Sequence, residues 1–282
     1  MVIGRMLSDR LKGHLSSLRR RQGSSDPVER GVAASLAGYS ADLSECFPEG
    51  AICETARGEI FACEVGLREI YADAPRLVQS YLGAFETARQ LDTDNTLPSV
   101  LEPLSQADAD TTVLIDTETT GLHGRPLFLI GLVRHRGRDL VVSQYFARNY
   151  AQEAGVLAKL AGLLPELALL ISFNGKAFDW PFVRDRMTYH RLPCPASTAH
   201  LDLLHPSRRR WRAYLPNCKL TTLERYLCGR WRSGDIPGAD IPQRYHDFVR
   251  EQDARLIAPI FHHNRMDLIT MVELLVALVG QP

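Results

Sequence analysis

The sequence has 282 residues, 45% of them hydrophobic, and its 33 basic and 33 acidic side chains balance to zero net charge. This composition suits one large domain, or a compact domain with an extra region, and supplies enough apolar material for a substantial core. No apolar run reaches about eighteen residues and the N-terminus lacks an apolar signal core, so we expect no membrane span and a cytoplasmic protein. The six cysteines form no C-x-x-C pair, which favours reduced thiols over a disulfide framework or a zinc site.

The balanced charge conceals an uneven distribution along the chain. Residues 31–120 carry 16 acidic and 4 basic side chains, whereas residues 184–232 carry 11 basic and 3 acidic ones. The first thirty residues add 7 basic and 3 acidic side chains. Such segregation indicates a basic surface on which a polyanion could lie, although blocks of like charge are also common on ordinary solvated faces.

The chain divides near residue 110 into a less regular N-terminal part and a strongly patterned C-terminal part. We expect residues 1–30 to form a basic tail, either mobile or a short helix, and residues 31–110 to form a small N-terminal region ending in a polar linker. Within that region, residues 59–65 (EIFACEV) predict a strand and residues 76–90 a helix. Residues 111–282 form the principal domain.

The principal domain begins with three strand-like runs joined by short connections that contain glycine or proline, which predicts a meander. A buried strand and several helices follow, so the pattern predicts an α/β or α+β layer fold. Thr221 and Glu224 fit a helix-capping box. The predicted strands are 112–117, 127–134, 140–146 and 167–173, and the predicted helices are 151–164, 181–189, 221–228, 242–257 and 260–279.

The most informative local feature is Asp116-Thr-Glu118, directly after the apolar run TVLI. Side chains alternate across a strand, so both carboxylates point to one face, where they repel each other unless a cation or a proton intervenes. Divalent Mg²⁺ and Mn²⁺ prefer such oxygen ligands. A solvated acidic pair is the common alternative, but it is not expected after so apolar a strand.

Two further segments carry polar residues in suggestive positions. Asp179 follows the buried run LALLI and precedes Pro181, which suits the first turn of a helix, so a helix cap and a functional carboxylate are both open. Asn174, in the same connection, could equally be a turn residue. His263 and Asp267 are four residues apart and share a helix face, whereas His262 diverges from that face.

In their order and spacing, these segments resemble the three exonuclease motifs of the DEDD superfamily of ribonuclease-H-like 3′–5′ exonucleases. The closer resemblance is to the YprB-like ribonuclease-H-like family, and it covers about residues 112–278. The stretches that carry it are DTETTG (116–121), SFNGKAFDWPFVRDR (172–186), HLDLLHPSRRRWR (200–212), CKLTTLE (218–224), DIPGADIP (235–242) and HNRMD (263–267).

The resemblance implies a mixed five-stranded sheet flanked by helices, with a metal site at its edge. Asp116, Glu118, Asp179 and Asp267 would bind two divalent ions, Mg²⁺ or Mn²⁺, that promote in-line phosphodiester hydrolysis. A histidine would serve as general base. One branch of the superfamily places it five residues before the last aspartate, as His262 is here; the YprB-like pattern favours His263, and both stay open.

The resemblance also implies a nucleic-acid substrate, with DNA favoured and a role in repair, and a helicase or repair partner. A single-stranded 3′ end would suit phosphate contacts from arginine and base stacking on Trp211, although a buried tryptophan is an equal alternative. A ribonuclease, an endonuclease, and a non-catalytic nucleic-acid-binding or adaptor protein are the competing hypotheses. The candidate nucleic-acid-binding residues are Thr119, Asn174, Lys176, Arg208, Arg209, Arg210, Trp211, Arg212 and Lys219.

Overall fold

The structure is a computed structural model that describes residues 41–121, 124–195 and 198–280. The predicted basic tail at residues 1–30 lies outside these ranges. Across the described ranges, helices surround one mixed β-sheet, as the sequence pattern predicted. No helix in them combines the length and the apolar character needed to cross a membrane.

Seven strands form the sheet, in the spatial order β1-β2-β5-β4-β3-β6-β7. Strands β3, β4 and β5 form the predicted antiparallel meander, and β6 and β7 run parallel to β3. These five strands correspond to the implied five-stranded sheet, and the hairpin of β1 and β2 extends it beyond β5. The strands are β1 (Gly50–Thr55), β2 (Gly58–Gly66), β3 (Thr112–Thr119), β4 (Leu127–Arg136), β5 (Asp139–Phe146), β6 (Leu169–Ser172) and β7 (Ala199–Asp202).

The helices match most of the predicted ones to within a few residues. They are α1 (Leu43–Cys46), α2 (Leu67–Ile70), α3 (Ala74–Thr93), α4 (Glu102–Ser105), α5 (Glu153–Leu163), α6 (Asp179–Tyr189), α7 (Leu204–Trp211), α8 (Leu220–Leu223), α9 (Ile241–Glu251) and α10 (Ala258–Val279). A π-helical turn, Glu224–Cys228, follows α8, and 3-10 turns lie at Ser99–Leu101, Ala109–Thr111, Tyr150–Gln152, Leu164–Glu166, Gly238–Asp240 and Ala254–Leu256.

Apolar side chains bury both faces of the sheet. Leu114 of β3 packs in a cluster with α3 and the C-terminal half of α10, whereas Val113 and Ile115 pack on the opposite face with α5 and α9. Because the strand alternates between two covered faces, its sequence is continuously apolar until Asp116. The first carboxylate therefore appears where β3 leaves the core.

The N-terminal region contributes to the same sheet and the same core. Its hairpin was predicted only in part, because β1 is an edge strand with largely exposed side chains and a weak apolar pattern. The stretch 91–110, interpreted from sequence as a polar linker, contains short helical turns and buries Leu101, Leu104 and Ala107. The predicted capping box is wrong: α8 begins at Leu220, and the Glu224 carboxylate instead accepts hydrogen bonds from Arg230 and Arg232.

Candidate active site at the ends of the central strands

The C-terminal part of β3 places Asp116 and Glu118 at the sheet edge. Burial raises the pKa of Asp116 well above its usual range, and the charges of Asp267, Glu118 and Asp179 raise it further. Burial likewise raises the pKa of Glu118, and Asp267, Asp179 and Asp235 add to the increase. The acids predicted from three separate sequence segments therefore lie close enough to repel one another.

Asp179 reaches this cluster from the connection after β6. It is the first residue of α6 rather than the predicted cap, and its Oδ1 accepts a 2.5 Å hydrogen bond from the Thr117 hydroxyl. Burial raises its pKa, although the hydrogen bond from Thr117 opposes the rise. Gly175 leaves the room that this approach needs, because a β-carbon there would lie 2.5 Å from Ser172 Oγ and 3.2 Å from Asp179 Oδ2.

Helix α10 closes the site with Asn264 and Asp267. The buried Asn264 donates a 2.8 Å hydrogen bond from Nδ2 to Asp116 Oδ2. Its Oδ1 accepts a 2.9 Å hydrogen bond from Nε2 of Gln144. It can approach so closely because residue 131, opposite it on β4, is glycine. A continuous hydrogen-bonded chain from β5 through α10 thus positions the first carboxylate of β3.

The two candidate bases occupy different environments on α10. The ring of His263 lies between two acids: Nδ1 is 3.0 Å from both carboxylate oxygens of Asp235, and Nε2 is 3.5 Å from Asp267 Oδ2. His262 is exposed. The geometry therefore brings His263 into the acidic cluster.

Arg232 and Asp235 belong to the site although the sequence patterns did not single them out for it. The guanidinium of Arg232 lies 2.6 Å from Asp267 Oδ1, 3.3 Å from Asp235 Oδ2 and 2.6 Å from Glu224 Oε2. Burial raises the pKa of Asp267, and the charge of Arg232 opposes that rise. One guanidinium thus offsets part of the negative charge of the cluster.

Asp202, at the end of β7, is a further buried carboxylate, and its oxygens accept hydrogen bonds from backbone amides. Its Oδ1 accepts hydrogen bonds from the amides of Asn174 (2.7 Å) and Leu204 (3.0 Å), and its Oδ2 accepts one from the amide of Lys176 (3.1 Å). These bonds fix the β6–α6 connection, in which Asn174 adopts a left-handed φ of 63°. Asn174 is therefore a turn residue whose position Asp202 secures.

The predicted nucleic-acid-binding residues divide into exposed and internally engaged groups. Trp211 is 6% exposed, so its ring has no free face for a base, and Arg210 donates hydrogen bonds to the carbonyls of Leu278 and Gly280. These two are better explained as packing residues of α7. Thr119 lies at the end of β3 and donates to the carbonyl of Gly121. The exposed members are Lys176, Arg208, Arg209, Arg212 and Lys219.

The four carboxylates of the site provide oxygen atoms that could bind a divalent cation. Four half-buried, mutually repelling carboxylates are the hard oxygen donors that Mg²⁺ and Mn²⁺ prefer, so their chemistry fits. Among residues 41–121, 124–195 and 198–280, however, no three His, Cys, Asp or Glu side chains are already arranged to hold a metal ion. The contacts of Arg232 with Asp267 and of Thr117 with Asp179 occupy carboxylate oxygens that an ion would use.

Comparisons with known proteins identify the family of this chain. The chain is 35% identical over 164 residues to the "Uncharacterized protein YprB" of Bacillus subtilis (strain 168), covering 56% of this chain and 40% of that relative. It thus matches less than half of the relative's length. A family B DNA polymerase from the archaeon Pyrobaculum calidifontis aligns with a TM-score of 0.45 and 15% identity, over 58% of this chain and 24% of the polymerase. A family model described as RNase_H superfamily matches residues 113–279, more than half of the chain, and the protein therefore belongs to the RNase H superfamily.

Proposed function

We propose that this protein is a metal-dependent nuclease that hydrolyses phosphodiester bonds of nucleic acid, and specifically a 3′–5′ exonuclease. The observation that carries the proposal is the convergence of Asp116, Glu118, Asp179 and Asp267 on one partly buried edge of the sheet. Burial raises the pKa of all four, and the charges of Glu118, Asp179 and Asp267 raise the pKa of Asp116 further. Carboxylates gathered in this way are costly for the fold and are common at catalytic sites.

The four carboxylates are the proposed ligands of two divalent ions, Mg²⁺ or Mn²⁺. Bound there, the ions would supply a nucleophilic water at neutral pH and charge stabilisation at the leaving 3′-oxygen. Asn264 and Thr117 orient two of these carboxylates through the hydrogen bonds described above.

His263 is the proposed general base. A carboxylate that accepts the Nδ1 proton leaves Nε2 free to take a proton, and Asp235 is placed to do this at 3.0 Å. Asp235 would also stabilise the imidazolium that results. His262 is the second choice, because its side chain is exposed, whereas His263 is held between two acids.

The proposed substrate is a single-stranded 3′ end, with DNA favoured, and a helicase or repair protein is the proposed partner. Exposed arginines on α7 would hold phosphates without reading sequence. Phosphate contacts of this kind predict an affinity that falls steeply as salt concentration rises.

The position of Arg232 favours one second candidate, a non-catalytic nucleic-acid-binding protein. Its guanidinium lies against Asp267, where a divalent ion would bind in a nuclease. If that ion pair is permanent, Asp267 is not available to a metal ion and no turnover follows.

The test is digestion of end-labelled single- and double-stranded DNA and RNA with Mg²⁺, Mn²⁺ or EDTA. We expect metal-dependent nucleotide release that shortens 5′-labelled strands stepwise and is lost in Asp116→Asn. Cleavage of circular DNA would identify an endonuclease, and preference for RNA a ribonuclease. Equal release by wild type and Asp116→Asn would refute the assignment, and tight binding without turnover would support the second candidate.

A further inference from the structure

Trp231 is an exposed aromatic residue held beside the acidic cluster. It is 59% exposed and lies between Arg230 and Arg232 in a segment without regular secondary structure. Both arginines point inward and form ion pairs with the same buried carboxylate, since Arg230 Nε and Arg232 Nε each lie 2.6 Å from an oxygen of Glu224. The indole is thus exposed between two arginine side chains that are largely buried.

Additional contacts make this presentation rigid. Arg230 also binds Glu273 of α10 at 2.7 Å and Thr270 at 2.9 Å, and the Thr270 hydroxyl donates to Glu224 at 3.0 Å. Burying so many charged groups is costly unless each has a partner, and here the partners are present. The network fixes the backbone on both sides of Trp231, so an exposed indole is held in place.

One face of the indole already carries a cation. The guanidinium of Arg225, from the π-helical turn, lies 3.3 Å from the centre of the Trp231 ring. Stacking of this kind leaves the opposite ring face for a second planar group, while the guanidinium adds positive charge beside it.

The position along the chain connects this pair with the acidic cluster. Arg232, the residue after Trp231, contacts the carboxylates of Asp267 and Asp235. Trp231 is therefore the immediate neighbour in sequence of a residue that belongs to the acidic cluster. The surrounding segment 184–232 is strongly basic, with 11 basic and 3 acidic residues. An anionic ligand with planar groups matches an aromatic ring, an exposed arginine and a basic surround better than a protein partner does.

We propose that Trp231 and Arg225 form a stacking platform for an unpaired base of single-stranded nucleic acid whose backbone leads to the acidic cluster. This inference rests on the proposed function, and it assigns to Trp231 the base contact that the buried Trp211 cannot make. Every base has a planar face, so the platform binds without sequence preference and selects unpaired over paired strands.

The experiment measures binding in EDTA by fluorescence anisotropy, using a labelled oligothymidylate and an abasic oligonucleotide of the same length and charge. We expect Trp231→Ala to weaken oligothymidylate binding about 5- to 150-fold, Trp231→Phe to restore most of it, and neither change to alter abasic binding. Tyr189→Ala is the matched control, because Tyr189 is also exposed and also packs against an arginine, Arg186, but lies at the far end of α6 from Asp179.

The outcomes separate the platform from the proposed activity. Oligothymidylate affinity that is unchanged in Trp231→Ala, equally weakened in Tyr189→Ala, or absent in wild type would overturn the platform. Those results would not bear on Asp116-dependent hydrolysis, which the digestion assay tests separately. Conversely, base-dependent loss in Trp231→Ala without any hydrolysis by wild type would support the platform and reject the nuclease.

Discussion

The close approach of α10 to β4 at Gly131 gives a sharp stability prediction. A β-carbon at residue 131 would lie 2.0 Å from Oδ1 and 2.7 Å from Nδ2 of Asn264, which is fully buried. The amide cannot move away without losing its hydrogen bonds to Gln144 and Asp116. Overpacking of about 1–3 kcal/mol and two hydrogen bonds of about 0.5–1.5 kcal/mol each predict that Gly131→Ala lowers the free energy of unfolding by about 2–6 kcal/mol.

A double-mutant cycle measured by urea unfolding tests this reasoning. In an Asn264→Ala background the clash is gone, so Gly131→Ala should cost almost nothing, and the two changes should couple by about 2 kcal/mol or more. Gly83→Ala is the control, because a β-carbon at that helical position meets nothing within 4 Å; it should stabilise by about 0.5–1 kcal/mol. Additivity of Gly131→Ala and Asn264→Ala within about 0.5 kcal/mol would refute the packing argument.

Three further predictions concern charge and catalysis. The pKa of Asp116 is raised on folding from an ordinary 3.8, so in EDTA the folded state loses stability as pH rises above about 4. In urea unfolding, Asp116→Asn should reduce this loss of stability with rising pH. An unchanged dependence of the unfolding free energy on pH would contradict the prediction. Burial raises the pKa of Glu153, but hydrogen bonds from Arg186 and His190 lower it overall from 4.5. Its stabilisation is therefore present at neutral pH and is lost as pH falls below 4.5 and through the lowered pKa. Glu153→Gln should cost about 3–5 kcal/mol at pH 7 and less as the pH is lowered into the acid range, whereas a cost independent of pH would count against the ion pair. His263→Gln should reduce kcat by about 10²–10⁴-fold and His262→Gln should not, and the reverse order would reassign the base.

The sequence predicted the parts of this protein that follow from strong local patterns. Strands β3 and β4 are apolar runs buried on both faces, and Asp116 interrupts the first of them at the sheet edge. Asp179 and Asp267 were predicted from the order and spacing of the motifs. In the fold, parallel strands and the final helix bring these distant segments to one edge of the sheet. What the sequence could not determine was which carboxylate oxygens are already occupied in the folded chain.

The residues that sequence reasoning missed depend on contacts made over long chain separations. Arg232 lies in a basic run, where an arginine is equally consistent with phosphate binding, yet its partners are Glu224, Asp235 and Asp267. The same ambiguity affected the tryptophans: Trp211 is buried and Trp231 exposed, although both stand among arginines. Both tryptophans stand in an R-W-R triplet, so the local sequence does not distinguish the exposed Trp231 from the buried Trp211.

The central claim is that four separated acids form one hydrolytic site. It is tested most directly by nucleotide release from 5′-labelled single-stranded DNA with Mn²⁺, comparing wild type with Asp116→Asn, Glu118→Gln, Asp179→Asn and Asp267→Asn. Asp247→Asn, on α9 and paired with Arg250, is the matched control. We predict that each of the four loses at least about 10²-fold in rate while the control keeps the wild-type rate. Full activity in any one of the four would contradict the account.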